Sequence, residues 1–244
     1  MTPWKEKTGV LEARISELER ENVALKGFAW AASHDLKEPL RGITLNLELL
    51  ENSAEGKLDA KEKKYLRFAL TSAHLMSTVL PAVEHFVRVQ TEEPVLSDVD
   101  CEAVVNNVTL LLRSSIAECG GSVTWNGLPR MRCSETLLTH VFLNLIDNAI
   151  KYRSEDPPQV IIQSKLDGGY WFFSVADNGT GIDSKYLEYI FEPFGRVQPR
   201  RKSGSGIGLA LCRAAVERLG GRIWAEAATS GGGSIFRFTL PAET

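Results

Sequence analysis

Apolar residues recur at steps of four and three from Leu11 through Ile15, Leu18, Asn22, Leu25, Ala29 and Ala32. That spacing is the seam of a two-stranded coiled coil. Asn22 interrupts it with one amide, a device that fixes register and favours a parallel pair, although a surface helix with a single polar interruption reads the same way. The pattern predicts one helix continuing to about Leu50, ended by the polar, glycine-containing run from Asn52 to Leu58. Asp59 and Glu62 then have the spacing of a capping box, and Leu66, Ala69, Ala73, Met76, Leu80, Val83 and Val87 carry an apolar stripe along a second helix. A hairpin of two such helices covers only one face of each, so pairing with a second copy into a four-helix bundle is expected.

After Glu92, Glu93 and Pro94 the periodicity becomes mixed, which divides the chain into residues 1–93 and 94–244. Helices are predicted near Cys101 to Cys119, Ser134 to Tyr152 and Gly206 to Leu219. Strands are predicted near Val123, Val160 to Leu166, Trp171 to Ala176, Arg222 to Ala227 and Ser234 to Leu240. WFFSVAD and SIFRFTL read as neighbours in a mostly antiparallel sheet covered on one face by helices, so the fold class is a helical hairpin followed by an α/β sandwich.

Composition changes this picture little. A net charge of −3 over 244 residues favours neither a nucleic-acid surface nor an acidic tail. No apolar stretch is long enough to span or anchor in a membrane. Cys101, Cys119, Cys133 and Cys212 form no CxxC pair, which suits buried, reduced thiols in the cytoplasm.

Candidate chemistry lies in four separated runs. In FAWAASHDLKEPLRGI, His34 is followed by Asp35, a carboxylate able to orient the imidazole or take its proton while the other ring nitrogen attacks. Pro39 removes one helical hydrogen bond to Asp35, so the helix is expected to loosen or bend there. His74, His85 and His140 lack such neighbours and read as structural. In NLIDNAIKY, Asn144, Asn148 and Lys151 share a helix face. The Asn148 amide oxygen is a hard ligand suited to Mg²⁺, and Lys151 brings positive charge, although an exposed polar face has the same composition.

In DNGTGID, Asp177 ends an apolar strand and can accept from an exocyclic amine; alone, the run is an ordinary Asp-Asn-Gly turn. The fourth run joins Arg200, Arg201, Lys202 and Ser203 to Gly204, Gly206 and Gly208 at a helix start whose amides attract phosphate. A dinucleotide-binding fold would need a strand before these glycines, where a basic loop containing Pro199 stands instead.

These runs in this order, with Phe191-Glu192-Pro193-Phe194 ahead of the last, resemble the sensor histidine kinases of two-component signalling, and the HDLKEPLRG wording is closest to the phytochrome-like, light-sensing branch. The resemblance spans nearly the whole chain. It implies a dimerisation and histidine phosphotransfer bundle followed by an ATP-binding domain of the gyrase, chaperone and histidine kinase type. ATP with Mg²⁺ would phosphorylate His34, assisted by Asp35, and a response-regulator receiver domain would accept the phosphoryl group. The nucleotide would meet Asn144, Asn148, Lys151, Tyr152, Asp177, Gly179, Gly181, Gly204, Gly206, Gly208 and Leu209, with Asn148 on the metal and Gly195 to Ser205 as a lid. The signal would come from an upstream sensory module outside this chain. A superfamily ATPase without histidine chemistry, or a silent dimerising scaffold, is the alternative. Glu38 departs from the family pattern by standing where many members carry Thr or Asn. Its charge repels an aspartyl phosphate, so weak regulator dephosphorylation is expected; vigorous Mg²⁺-dependent dephosphorylation that disappears in Glu38→Ala would overturn this.

Overall fold

The computed structural model describes residues 3–54, 56–195, 197, 205–228 and 232–242. The chain divides into two compact units, Met1–Val87 and Arg88–Thr244.

In the first unit, α1 (Pro3–Ser53) runs unbroken through Pro39, so the expected loosening produces no break. Proline removes one bond from a helix long enough to be held on both sides of it. α2 (Ala60–Thr91) begins on the predicted capping box: Asp59 Oδ1 accepts from the amides of Lys61 and Glu62 at 2.7 Å each, and Glu62 Oε2 accepts from the amide of Asp59 at 2.8 Å. The two helices meet antiparallel. Leu40, Ala73 and Leu80 form a buried cluster with Leu47 against it, Lys37 pairs with Glu84, and His74 lies 3.8 Å from Glu48. Leu66 and Val87 of the α2 stripe are also buried, whereas the leading part of the α1 seam is open in the single chain, with Leu11 63 % and Leu25 68 % exposed.

The second unit is a five-stranded sheet in the order β2-β4-β5-β7-β6, comprising β2 (Ser122–Asn126), β4 (Gln159–Asp167), β5 (Tyr170–Asp177), β6 (Arg222–Ala227) and β7 (Ser234–Pro241). β2 lies parallel to β4 and the other pairings are antiparallel; β5 and β7 are neighbours, as expected, with Phe173 opposite Phe238. Helices α5 (Glu135–Lys151) and α6 (Gly208–Arg218) pack side by side against the sheet, and α3 (Cys101–Leu111) lies beside α5. The core is aromatic. Phe142 of α5 meets Phe173 and Phe238 edge-on at 6.1 and 5.7 Å, and those two rings stack at 4.7 Å.

Two parts of the fold differ from the sequence expectation. The helix expected from Cys101 to Cys119 breaks at Leu112 (φ −91°, ψ 5°) into α3 and α4 (Arg113–Glu118). A second sheet of β1 (Ser97–Asp100) and β3 (Arg130–Cys133) has no counterpart in the sequence pattern; its strands are four residues each, too short for an alternating pattern to declare itself. β1 delivers Asp100 to α3, where its carboxylate caps the amides of Glu102 and Ala103 at 3.0 and 3.2 Å. On α6, Arg218 donates to the carbonyls of Gln90 and Glu92 at 2.9 and 2.6 Å, which ties the chain entering this unit to the helix. The four cysteines are unpaired, and burial pushes the Cys101 thiol up to about 12 and Cys133 to about 11, so both are unreactive at neutral pH.

Candidate nucleotide-binding site

The α5 helix places its apolar residues Val141, Phe142, Leu145, Ile146 and Ala149 toward the sheet, which turns Asn144, Asp147, Asn148 and Lys151 toward a cleft on its other side. The cleft opens to solvent, and the empty space within it, open mouth included, is about 1060 Å³. It gathers Asn144, Asn148, Lys151, Tyr152, Asp177, Gly181, Gly206, Gly208 and Leu209, nine of the sequence-predicted residues. Gly179 stands behind the wall instead. Its Cα packs so closely on the Tyr152 carbonyl that a Cβ would lie 2.6 Å from that oxygen. Gly204, Arg200, Arg201, Lys202 and Ser203 lie outside the described residues.

Asp177 is held at the end of β5. Its Oδ1 accepts from the amides of Gly179 at 2.8 Å and Ser234 at 3.3 Å, which leaves Oδ2 to meet a donor in the cleft. Burial raises its pKa, and the two amide bonds oppose that rise only in part. The Ser234 amide reaches Asp177 because Gly233, at φ +97°, lets the strand approach; a Cβ there would lie 2.0 Å from the Asp177 carbonyl. Asn178 is a clamp, accepting from the amide of Gln159 at 2.7 Å and donating to the Pro157 carbonyl at 3.0 Å. Thr180 donates its amide to the Tyr152 carbonyl at 3.0 Å, which joins the loop to the end of α5.

On the facing side, α6 starts at Gly208, two residues later than predicted, and Ile207 before it supplies no side-chain cap. The first-turn amides therefore face the cleft without a protein acceptor from the cap, a suitable seat for phosphate oxygens. A Cβ at Gly208 would meet Asn144 Oδ1 at 2.5 Å, so any larger residue there would displace the Asn144 side chain. The segment entering this region is gripped by Arg213, which bonds Glu188 at 3.0 Å and Glu192 at 3.3 Å and lies 4.8 Å over the Phe191 ring. Phe194 takes φ 64° and donates its amide to the Gly206 carbonyl at 2.9 Å; most of the expected lid, Gly195 to Ser205, lies outside the described residues. Lys151 Nζ is held 2.5 Å from Asp147 Oδ2. Sequence reasoning missed Asp147, although its four-residue spacing to Lys151 announces the pair. It also missed the Ser234 amide, a backbone donor that side-chain patterns do not show.

The first unit keeps His34 and Asp35 at its surface, with side chains 65 % and 80 % exposed, and His34 Nδ1 lies 3.3 Å from Asp35 Oδ1.

Residues 133–244, which contain every cleft residue, match the family described as histidine kinase-, DNA gyrase B- and HSP90-like ATPase. Residues 24–92, which contain His34, match the His Kinase A (phospho-acceptor) domain. Cyanobacterial phytochrome A of Nostoc sp. is 39 % identical over 92 % of this chain and 29 % of its own length. Phytochrome-like protein Cph1 of Synechocystis sp. is 36 % identical over 92 % of this chain and 30 % of its own length. The crystal structure of full-length ShkA in complex with AMPPNP is similar with a TM-score of 0.67 at 29 % identity, covering 89 % of this chain and 46 % of that one. The sheet, the α5 face and the glycine-bounded cleft thus define an ATPase domain of the gyrase and chaperone type. Joined to a phosphoacceptor domain, it makes this chain a member of the sensor histidine kinases, carrying their catalytic core. The chain spans just under a third of the phytochromes it matches.

Asp177→Asn tests the cleft. Because burial raises the carboxyl pKa, ionisation works against folding, an advantage of the acid form that fades as pH rises through the folded-state pKa. At pH 7 the amide variant is therefore expected to melt no lower than wild type, yet to bind ATP roughly ten- to a hundredfold more weakly, the value of a charged hydrogen bond of about 1.5–3 kcal/mol. Calorimetric titration and thermal melting check both; unchanged ATP affinity would refute the role of Asp177.

Proposed function

We propose that this chain phosphorylates His34 with ATP and passes the phosphoryl group to an aspartate on a response-regulator receiver domain. The observation that carries this reading is an exposed imidazole beside a carboxylate in one unit, and in the same chain a cleft whose polar residues suit a triphosphate nucleotide. In the cleft, Asp177 Oδ2 accepts from the adenine amine, Lys151 leaves Asp147 for phosphate oxygens, and the first amides of α6 seat the phosphates from the opposite side.

Mg²⁺ fits this donor set. Among the described residues no cluster of His, Cys, Asp and Glu could hold an ion alone, and the Asn148 amide in the cleft is a hard oxygen ligand. A magnesium ion held by Asn148, water and the nucleotide's own phosphates is the arrangement such a site favours, and it would neutralise charge as the terminal phosphoryl departs. In the acceptor unit, the Nδ1–H of His34 donates to Asp35, which leaves the lone pair on Nε2 for attack.

A second copy of the chain covers the exposed seam of Leu11, Ile15, Leu18 and Leu25 as a two-stranded coiled coil and completes the hairpin that follows it into a four-helix bundle. The same coiled coil offers a path for input from a sensory module. Among the described residues no helix is long and apolar enough to cross a membrane, and the unpaired thiols suit the cytoplasm.

Incubation with γ-labelled ATP and Mg²⁺ tests the proposal. Wild type is expected to acquire acid-labile, alkali-stable phosphate, and His34→Ala none while still binding ATP. ATP turnover without covalent label, or label that survives His34→Ala, would replace this reading with a plain ATPase or another acceptor.

A further inference from the structure

An exposed histidine on a helix ordinarily samples several rotamers, and each unproductive one takes its nucleophilic nitrogen out of line with the phosphorus. His34 is not left in that condition. Trp30 stands one turn earlier on the same unbroken helix, and the two rings stack with centroids 5.7 Å apart and planes 19° from parallel. The geometry follows from the helix. Its side chains lean toward the N-terminus, so the ring at position 34 lies back over the turn that carries position 30. Trp30 is itself 44 % exposed, so the indole meets the imidazole at the surface and is not entombed in the hairpin core.

Two contacts then define the acceptor. The indole stacks on one ring face and Asp35 takes Nδ1 at 3.3 Å, while the neighbouring Ser33 is buried at 5 % exposure, so His34 lies on the helix face turned outward. One turn further on, Lys37 is engaged by Glu84 of α2, which keeps that ammonium paired across the hairpin. What the stack and the Asp35 contact leave for reaction is the Nε2 edge.

We propose that Trp30 is a positioning residue for phosphoryl transfer, holding the imidazole of His34 by ring stacking so that its Nε2 edge meets the γ-phosphate. This rests on the reading of His34 as acceptor. In the step itself the Nε2 lone pair forms the N–P bond while the bond from the γ-phosphorus to the β,γ-bridging oxygen breaks, its electron pair leaving on ADP, and the Nδ1 proton passes to Asp35. Until that proton has moved the ring is cationic. An indole face attracts a cationic ring more than a neutral one, so the stack also favours the transition state over the ground state.

The test compares Trp30→Phe, which keeps an aromatic face, with Trp30→Leu, which keeps apolar bulk for bundle packing and removes the π face. In the full chain, labelling of His34 from γ-labelled ATP is followed as a function of ATP concentration, with melting temperature and oligomeric state measured alongside. Trp30→Phe is expected to stay within about twofold of wild type, and Trp30→Leu to lose roughly tenfold in kcat at unchanged KM for ATP and unchanged melting. By proton NMR the His34 ring protons are expected to carry an upfield ring-current shift in wild type and Trp30→Phe that vanishes in Trp30→Leu. Wild-type kcat in Trp30→Leu, or equal losses in both variants, would overturn the role of Trp30 while leaving His34 as acceptor. A wild type that takes no label on His34 would remove both.

Discussion

The wedge of Phe142 against Phe173 and Phe238 is the contact on which the site depends. Three fully buried rings, each stabilised by about 1.5–3 kcal/mol on leaving water, fix the rotation of α5 on the sheet. Rotation decides chemistry here because the helix is two-faced. If α5 turned by a third of a turn, Asn144, Asn148 and Lys151 would leave the cleft and apolar side chains would enter it. The polar lining of the cleft is thus set by hydrocarbon packing on the opposite side of the helix.

Around that wedge, the cleft is kept open by close backbone approaches. Gly179 on the Tyr152 carbonyl, Gly208 on the Asn144 side chain and Gly233 on the Asp177 carbonyl each occupy a place where a Cβ would collide. Together they bring β5, β7, α5 and α6 near enough for amides to hold Asp177 by one oxygen. Burying a carboxylate this way disfavours its charge, and a binding partner that donates to the other oxygen recovers part of that loss.

Legibility in the sequence followed the range of the interactions. The capping box at Asp59 and Glu62, the shared face of Asn144, Asn148 and Lys151, and the pairing of the two aromatic strands are set within a turn or by simple alternation, and the fold shows each of them. The break at Leu112 and the β1–β3 pair depend on contacts between distant segments, which no local period encodes. Gly179 looked like a ligand-facing residue because its motif is contiguous with Gly181, yet one faces the Tyr152 carbonyl and the other the cleft. The Ser234 amide carries no side-chain signature. Most of the cleft lining could therefore be named beforehand, and what escaped was the backbone that holds it.

In the proposed function, the cleft recognises adenine through Asp177 Oδ2 and holds the ATP whose terminal phosphoryl group goes to His34. Guanine places a carbonyl oxygen where adenine places its amine, and a carboxylate oxygen repels it. Labelling of His34 from ATP and from GTP at equal concentration is the direct measurement. ATP is expected to label His34 and GTP to leave it essentially unlabelled; equal labelling by the two nucleotides would contradict a cleft read through Asp177.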